Sequence, residues 1–350
     1  MKILKLINFS LISLLLIFTL SCKEKSLDPN GQVDYNWQFL GMQGKTVWKL
    51  LLDGDYLYAG VEDYGLWRLN VKQPSVKWEH LGIGDTIQQS YDIDAIIVDK
   101  ETNTIFIGIV GTSIGMPAVG IWKTTNNGLS WIPSDSGIPS PSNSVYSMAQ
   151  NPLNPNIMFA HCNRGLYKST DRGKSWRYVM QGGMTIEDIE FYDKNPDTIW
   201  IGGESNALYS IYWTSEDGGE TWNVGTGRAP RKTLVIYDIE FDPNNSSTVY
   251  VGTMGEFLKT TDYGKTWDTL INPICCPYVS ANNISINPKN SQELFATGRY
   301  LYYSTNGGKS FEKINLPTEY DPVAYALAVD WDRRILYISI LKVGIYKKRF

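Results

Sequence analysis

The chain has 350 residues, of which 43% are hydrophobic and 13% aromatic, which is ample for the buried core of one large all-β domain. The formal net charge of −4 at pH 7 gives no support to binding of nucleic acid. The two histidines and four cysteines show no metal-ligand spacing, so neither a metal nor another cofactor is expected.

Residues 1–21 have the pattern of an export signal. Lys2 and Lys5 form a basic start, and residues 6–20 are mostly apolar. This apolar stretch is short for a transmembrane helix that stays in the mature protein. The stretch ends in Leu-Ser-Cys22, which resembles the lipobox of bacterial lipoproteins. This resemblance implies that Cys22 carries a lipid and holds the protein on a membrane. The alternative is an ordinary secretory leader that happens to contain a cysteine.

Residues 22–34 are polar and rich in turn formers, which predicts a flexible tether. By the same resemblance, Lys23 after the cysteine favours the outer membrane, facing either the periplasm or the cell surface. Three cysteines follow, and an odd number gives no disulfide framework. Cys275 and Cys276 are either a vicinal disulfide or small apolar loop residues, and Cys162 stands alone.

One motif occurs five times from residue 124 onward. It reads Ser/Thr-x-Asp/Asn-x-Gly-x-Ser/Thr-aromatic, and its acidic or amide positions are Asn126, Asp171, Asp217, Asp262 and Asn306. The closing aromatic residues stand at 131, 176, 222, 267 and 311, so the steps are 45, 46, 45 and 44 residues. A fixed period of this size indicates a repeat architecture.

The motif has the chemistry of a hairpin turn between two strands. The Asp or Asn side chain accepts backbone N–H groups, and the Gly permits a positive φ. The aromatic residue opens the next strand and covers the apolar underside of the turn. These positions are therefore predicted to be structural rather than part of a ligand site.

Each repeat contains four short strands, as in residues 236–242, 248–252, 256–260 and 267–270. First strands are predicted to begin near residues 47, 93, 145, 186, 236, 280 and 324. In the first repeat residues 71–77 replace the motif, and in the second a longer loop covers residues 111–117. The last repeat stops after its third strand, at residues 344–350.

The segment Asn36 to Gly41 looks like a fourth strand with no motif before it. It can complete the last repeat and close the ring, which leaves no open sheet edge inside the circle. The predicted fold is therefore an all-β, seven-bladed β-propeller of four-stranded blades over residues 35–350. Six or eight blades are the alternatives.

The repeated turn resembles the Asp-box, or bacterial neuraminidase repeat, of sialidases, xyloglucanases and sortilin-type receptors. Over essentially the whole chain, the leader, tether and single ring resemble the photosystem II stability/assembly factor family. That family is non-catalytic and binds a membrane-protein partner. The resemblance implies a lipid-anchored, non-catalytic binding or scaffold protein whose partner is a protein or a glycan.

Ligands of such propellers lie near the axis on the face opposite the motif turns. The residues expected on that face combine Tyr and Arg with a carboxylate, which suits recognition of sugar hydroxyls or a protein. They are Tyr64, Arg164, Glu204, Arg228, Arg231, Arg299, Tyr300 and Tyr320. The alternative for each is an ordinary solvated loop residue.

The inner strands carry a second candidate set. Aligned by repeat, one polar column is Lys49, Asp94, Ser147, Asp188, Asp238, Asn283 and Ala326. Asp188 with Asp238, and Glu190 with Glu240 two residues on, are acids on neighbouring blades. Paired carboxylates can hydrolyse glycosides, so a sialidase-like or other glycan-cleaving enzyme is the alternative function. More commonly such residues line a wet channel or bond to backbone.

Three enzyme types lack their expected features. The Arg-Ile-Pro tripeptide of sialidases does not occur, and two histidines are few for a uronate lyase. Xyloglucanases of this repeat class place two carboxylates between two propellers, whereas only one ring is predicted here. These absences favour the non-catalytic prediction.

Overall fold

The computed structural model describes residues 36–83, 91–111, 120–139, 144–162, 165–181, 185–204, 210–225, 235–254, 256–271, 283–298, 300–318 and 323–350. Strands in these ranges form seven four-stranded antiparallel sheets arranged as the blades of a β-propeller. The predicted fold class is confirmed.

The first strand in the chain, β1 (Trp37–Gly41), belongs to the last blade. Blade 1 contains β2 (Val47–Asp53), β3 (Tyr56–Val61), β4 (Gly65–Asn70) and β5 (Trp78–His80). Blade 2 contains β6 (Tyr91–Asp99), β7 (Thr104–Gly111), β8 (Gly120–Thr124) and β9 (Ile132–Pro133). Blade 3 contains β10 (Val145–Gln150), β11 (Met158–Cys162), β12 (Gly165–Ser169) and β13 (Arg177–Gln181).

Blade 4 contains β14 (Thr185–Phe191), β15 (Ile199–Glu204), β16 (Ser210–Ser215) and β17 (Asn223–Val224). Blade 5 contains β18 (Ile236–Asp242), β19 (Asn245–Thr253), β20 (Phe257–Thr260) and β21 (Asp268–Ile271). Blade 6 contains β22 (Asn283–Ile286), β23 (Leu294–Thr297), β24 (Leu301–Ser304) and β25 (Glu312–Ile314). Blade 7 contains β26 (Ala324–Asp330), β27 (Ile335–Ile340) and β28 (Gly344–Arg349), followed by β1 as its outermost strand.

The two ends of the chain close the ring in blade 7. Strand β1 runs antiparallel to β28, with Trp37 opposite Lys348 and Phe39 opposite Tyr346. The Trp37 Nε1–H donates to the carbonyl of Asn315 in blade 6 at 2.9 Å. The predicted closure by the N-terminal strand is therefore confirmed.

The predicted starts of the inner strands are confirmed to within three residues, since β2, β10, β18 and β26 begin where expected and β6, β14 and β22 lie close. Most of the longer loop predicted at 111–117 lies outside the described residues. The hydrophobic core lies between blades. A Cβ on Gly60 would come within 2.5 Å of the Ile93 carbonyl oxygen, so glycine here lets blade 2 approach blade 1.

The antiparallel order assigns the two faces of the ring. Inner strands begin on one face and end on the other, where the turns between third and fourth strands also lie. We call this second face the turn face, because it carries the five repeated motifs. Among the described residues no helix has the length and hydrophobicity needed to cross a bilayer.

Candidate functional site

The inner strands share one irregularity close to where they begin. In six of the seven blades the pairing with the second strand shifts, so that an extra residue bulges from the ladder. A bulge re-aims a side chain that regular alternation would direct elsewhere. The residues in the bulges are Trp48, Asp94, Tyr146, Glu187, Tyr237 and Tyr325.

These bulged residues surround a cavity on the axis, on the face opposite the turn face. We call this cavity the funnel; its volume is about 220 Å³. Lys49, Asp92 and Asn283 complete its lining. The chemistry alternates around the ring: blades 1, 3, 5 and 7 contribute Trp48, Tyr146, Tyr237 and Tyr325, whereas blades 2, 4 and 6 contribute Asp94, Glu187 and Asn283.

Two carboxyl groups of the funnel, those of Asp92 and Asp94, have raised pKa values. Burial raises the pKa of Asp94 to about 7, with further increases from the charges of Asp92 and Glu187 and an opposing effect from Lys49. Burial also raises the pKa of Asp92 to about 6, and the charges of Glu62 and Asp63 add to the increase. Asp94 is therefore substantially protonated at neutral pH and can donate a proton.

A second cavity of about 520 Å³ lies along the axis toward the turn face. We call it the channel chamber. Glu190 and Glu240 line it, and burial together with neighbouring carboxylates raises the pKa of each well above its usual range. Lys49 and Asn283 line both the chamber and the funnel, so they stand at the boundary between the two cavities.

The other two predicted channel acids are engaged by backbone groups. The Ile239 N–H donates to Asp188 Oδ2 at 2.8 Å, and the Ile284 N–H donates to Asp238 Oδ2. Each bond joins one inner strand to the next, so both carboxylates hold neighbouring blades together. No group of three or more His, Cys, Asp or Glu in the described part of the chain could hold a metal ion.

One alignment made from the sequence is corrected by the strand pairing. Lys49 lies opposite Gly60, and in blade 2 the residue opposite the equivalent Gly108 is Ala95 rather than Asp94. The bulge displaces the register by one residue, so Asp94 belongs with the funnel residues and not with Lys49 in the polar column.

The structure describes three of the eight residues predicted for the binding face. Tyr64 and Tyr300 lie on turns between second and third strands, with Lys45 Nζ 3.1 Å and Lys313 Nζ 3.3 Å from their ring centroids. Glu204 is the last residue of β15. The remaining predicted residues lie outside the described ranges, as does the lipidation site; they are Arg164, Arg228, Arg231, Arg299, Tyr320 and Cys22.

The sequence analysis missed five funnel residues: Trp48, Tyr146, Glu187, Tyr237 and Tyr325. Each stands immediately before a member of the polar column. Regular alternation places adjacent residues on opposite faces of a strand. Assigning the polar column to the channel therefore excluded these five residues from it. The recurrence of an aromatic residue at this position in four repeats was the available signal.

The repeated turns use their polar groups internally. Asp171 Oδ1 accepts hydrogen bonds from the Ser175 N–H and the Ser169 hydroxyl, both at 2.8 Å, and Oδ2 accepts one from the Ser175 hydroxyl at 2.5 Å. The glycine of this turn, Gly173, has a φ of 71°. In the equivalent turn at Asp262, bonds from the Thr266 hydroxyl and N–H lower the pKa of the carboxyl to about 2.

The cysteine that the structure describes has no catalytic environment. Cys162 is a free, buried thiol at the end of β11, packed in the core of blade 3. Burial raises its pKa to about 12, so the thiolate is not available as a nucleophile at neutral pH. Cys275 and Cys276 lie outside the described residues.

Comparison with known proteins adds the following relatives. Residues 210–320 match the family model Sortilin-Vps10, described as sortilin, neurotensin receptor 3. The oligoxyloglucan-reducing end-specific xyloglucanase of Emericella nidulans is 26% identical over 225 residues, which are 54% of this chain and 26% of that protein. Xyloglucanase Xgh74A of Acetivibrio thermocellus is 25% identical over 277 residues, 64% of this chain and 32% of that protein.

Among solved structures, the GH74 xyloglucanase of Xanthomonas campestris has a TM-score of 0.69 at 17% identity, covering 88% of this chain and 52% of that one. The structure of YCF48 bound to D1 peptide has a TM-score of 0.62 at 17% identity, covering 91% of this chain and 96% of that one. At these identities the structures share the fold. The chain spans only about a quarter to a third of the length of its curated relatives.

These relatives correct the functional prediction. The expectation of a non-catalytic binding or scaffold protein is wrong, because the curated proteins that this chain resembles are xyloglucanases. They favour the alternative, a glycan-active enzyme. The argument against an enzyme depended on absent motifs, and it overlooked the carboxyl groups that the bulges bring into the funnel.

Proposed function

We propose that the chain is a glycoside hydrolase acting on an uncharged β-glucan of the xyloglucan class, with the funnel as its active site. One observation carries the proposal: the bulges place Asp94 and Glu187 in a single axial cavity with four aromatic side chains. The xyloglucanase relatives support the substrate class. Aromatic rings with a few convergent polar groups are typical of sites for small ligands.

The two carboxyl groups have complementary roles in this proposal. Hydrolysis of a glycoside requires one acid to protonate the leaving oxygen and one carboxylate to activate water or attack the sugar. Asp94 is the acid, because its pKa of about 7 keeps it protonated near neutrality. Glu187 is the second carboxyl group, and its charge contributes to the raised pKa of Asp94. Tyr146 lies on the blade between them and offers an aromatic face to the sugar.

The test is hydrolysis of xyloglucan and β-1,4-glucan by the full chain in detergent. Asp94→Asn and Glu187→Gln should each lower kcat at least 100-fold with the fold intact. Glu190→Gln is the matched control, since it removes a carboxylate from the channel chamber and should leave kcat within about threefold. Loss of activity in Glu190→Gln but not in the funnel variants would move the chemistry to the chamber.

We also propose that the enzyme is held on the outer membrane by a lipid on Cys22, close to its glycan substrate. The basic and apolar start followed by Leu-Ser-Cys22 supports this. Mass spectrometry of the mature protein should find a lipid-modified Cys22 at the N-terminus. Cys22→Ala should release the protein from the membrane fraction. An unmodified N-terminus at another residue would contradict the anchor and leave the hydrolase proposal unaffected.

A further inference from the structure

All seven blades contribute side chains to the funnel, so its described lining encircles the axis. A groove open at both ends accepts the middle of a polysaccharide chain, because the chain can enter and leave along the groove. A cavity enclosed by a ring of blades accepts a chain along the axis, with its terminal residue first. The encircling arrangement therefore favours a chain end over a mid-chain segment.

The size of the funnel limits how much of the glycan it holds. Its volume of about 220 Å³ is below the roughly 300–1,000 Å³ of pockets that enclose drug-sized ligands. One pyranose ring, with about a dozen heavy atoms, is smaller than such a ligand, whereas two linked rings reach that size. The cavity thus suits one sugar ring, with the next ring outside its mouth.

The inner end of the funnel is marked by Lys49 and Asn283, which line both cavities. The side chain of Asn283 is fixed, because its Oδ1 accepts a hydrogen bond from the Leu327 N–H at 3.1 Å. This bond runs along the wall, from the inner strand of blade 6 to that of blade 7. The pair therefore marks the inner boundary of the funnel, where it adjoins the chamber.

The charge of the lining selects among terminal sugars. Among the lining residues that the structure describes, Asp92, Asp94 and Glu187 face one cation, Lys49. A terminal uronate or sialate would bring another carboxylate into this acidic cavity, and like charges at short range repel. Hydroxyl groups of a neutral sugar can bond to the same carboxyl groups without this penalty.

Resting on the proposed function, we infer that the funnel is a chain-end site that takes one uncharged terminal sugar and releases it by hydrolysis. Asp94 gives its proton to the glycosidic oxygen as the bond from that oxygen to the anomeric carbon breaks. A water molecule supplies the new oxygen on the anomeric carbon, and its proton passes to Glu187. The products are one monosaccharide and a glycan shorter by one residue.

Product analysis tests the inference with the full chain. Xyloglucan and β-1,4-glucan oligosaccharides of defined length should give monosaccharide as the first product, and the viscosity of the polymer should stay nearly constant during early hydrolysis. Intermediate-length products with a rapid fall in viscosity would overturn the chain-end site while leaving the hydrolase proposal standing. Absence of products from every glycan would instead overturn the hydrolase proposal.

Binding provides a readout that does not need turnover. Binding to Asp94→Asn is compared for an unmodified oligosaccharide and for two derivatives, each with a bulky group at one of its ends. The unmodified oligosaccharide should bind at least tenfold more tightly than the derivative blocked at the end that enters the funnel. Equal binding of all of them would refute the site. Asp92→Asn should improve binding of a uronate-terminated oligosaccharide relative to the neutral one by at least fivefold. Asp332→Asn, an exposed carboxylate on the turn face, is the control and should not change this ratio.

Discussion

The repeated turn allows a sharp test, because the chain contains its own control substitution. Asp171→Ala removes the acceptors of three hydrogen bonds, from the Ser175 N–H, the Ser175 hydroxyl and the Ser169 hydroxyl. A hydrogen bond contributes a net 0.5–1.5 kcal/mol, and the exposed Ser175 donors can bond to water instead, so we expect a loss of roughly 2 kcal/mol. In a domain of this size that lowers the melting temperature by about 3 °C.

Asp171→Asn is the matched control. At the equivalent position of blade 2, Asn126 Oδ1 accepts a hydrogen bond from the Ser130 N–H at 3.0 Å, and its Nδ2 donates to the Ser130 hydroxyl at 2.9 Å. A carboxamide therefore serves the same turn, and Asp171→Asn should cost less than about 0.5 kcal/mol. Thermal unfolding followed by tryptophan fluorescence measures both variants.

Two outcomes would refute this reasoning. If Asp171→Ala melts with the wild type, the turn bonds contribute nothing to stability. If both variants lose the same stability, the negative charge of Asp171 matters and its hydrogen bonds do not. Hydrolysis by Asp171→Ala at a temperature where it is folded should be unchanged, because this turn lies on the face opposite the funnel.

Four further predictions concern the funnel, the chamber and the closure. The pH profile of kcat/KM should fall above about pH 7, where Asp94 ionises, and Lys49→Met should move this fall to higher pH by removing the charge that lowers the pKa of Asp94. Tyr146→Ala should raise KM roughly fivefold in steady-state assays through loss of about 1 kcal/mol of aromatic contact. The pKa of Glu240 is raised in the folded protein, so the stability that its protonated carboxyl group contributes is present below pH 4.5 and is lost as pH rises through the raised pKa. Glu240→Gln should therefore have the melting temperature of the wild type at pH 4 and a higher one at pH 8. Deleting residues 36–41 should lower the melting temperature by more than about 5 °C, because it removes a strand ladder and the Trp37 contact, and an unchanged melting curve would argue against closure by β1.

The sequence was sufficient for the fold because its strongest signal is local. Each repeated turn fixes the end of a third strand and the start of a fourth, and the constant period leaves room for only two more strands before the next copy. The closing strand could be inferred by elimination, because the last repeat lacked a fourth strand and the strand predicted at residues 36–41 had no partner. Both inferences needed only strand counting and turn chemistry.

The candidate site was harder to predict because it depends on departures from regular pairing. Glu190 and Glu240 lie beyond the bulges, where alternation holds, and the sequence assigned them to the channel. Trp48 and Glu187 lie at bulges, where alternation fails, and they were missed. A bulge in an inner strand has no fixed sequence signature, so only the paired register of the second strand reveals it.

The pairing of β1 with β28 also determines where the ring is weakest to thermal opening. In the other blades a continuous chain passes from the third strand to the fourth, whereas here the two strands lie at residues 344–349 and 37–41, and Trp37 faces Lys348. Only hydrogen bonds and packing hold this seam, the junction of β1 and β28. Forming it therefore costs the loop-closure entropy of the whole ring. Because Trp37 pairs with Lys348, residues 36 and 350 lie near enough for a short covalent linker. A circularly permuted chain that joins residue 350 to residue 36 and opens at another blade's repeated turn would keep every strand pair and move the seam to that blade.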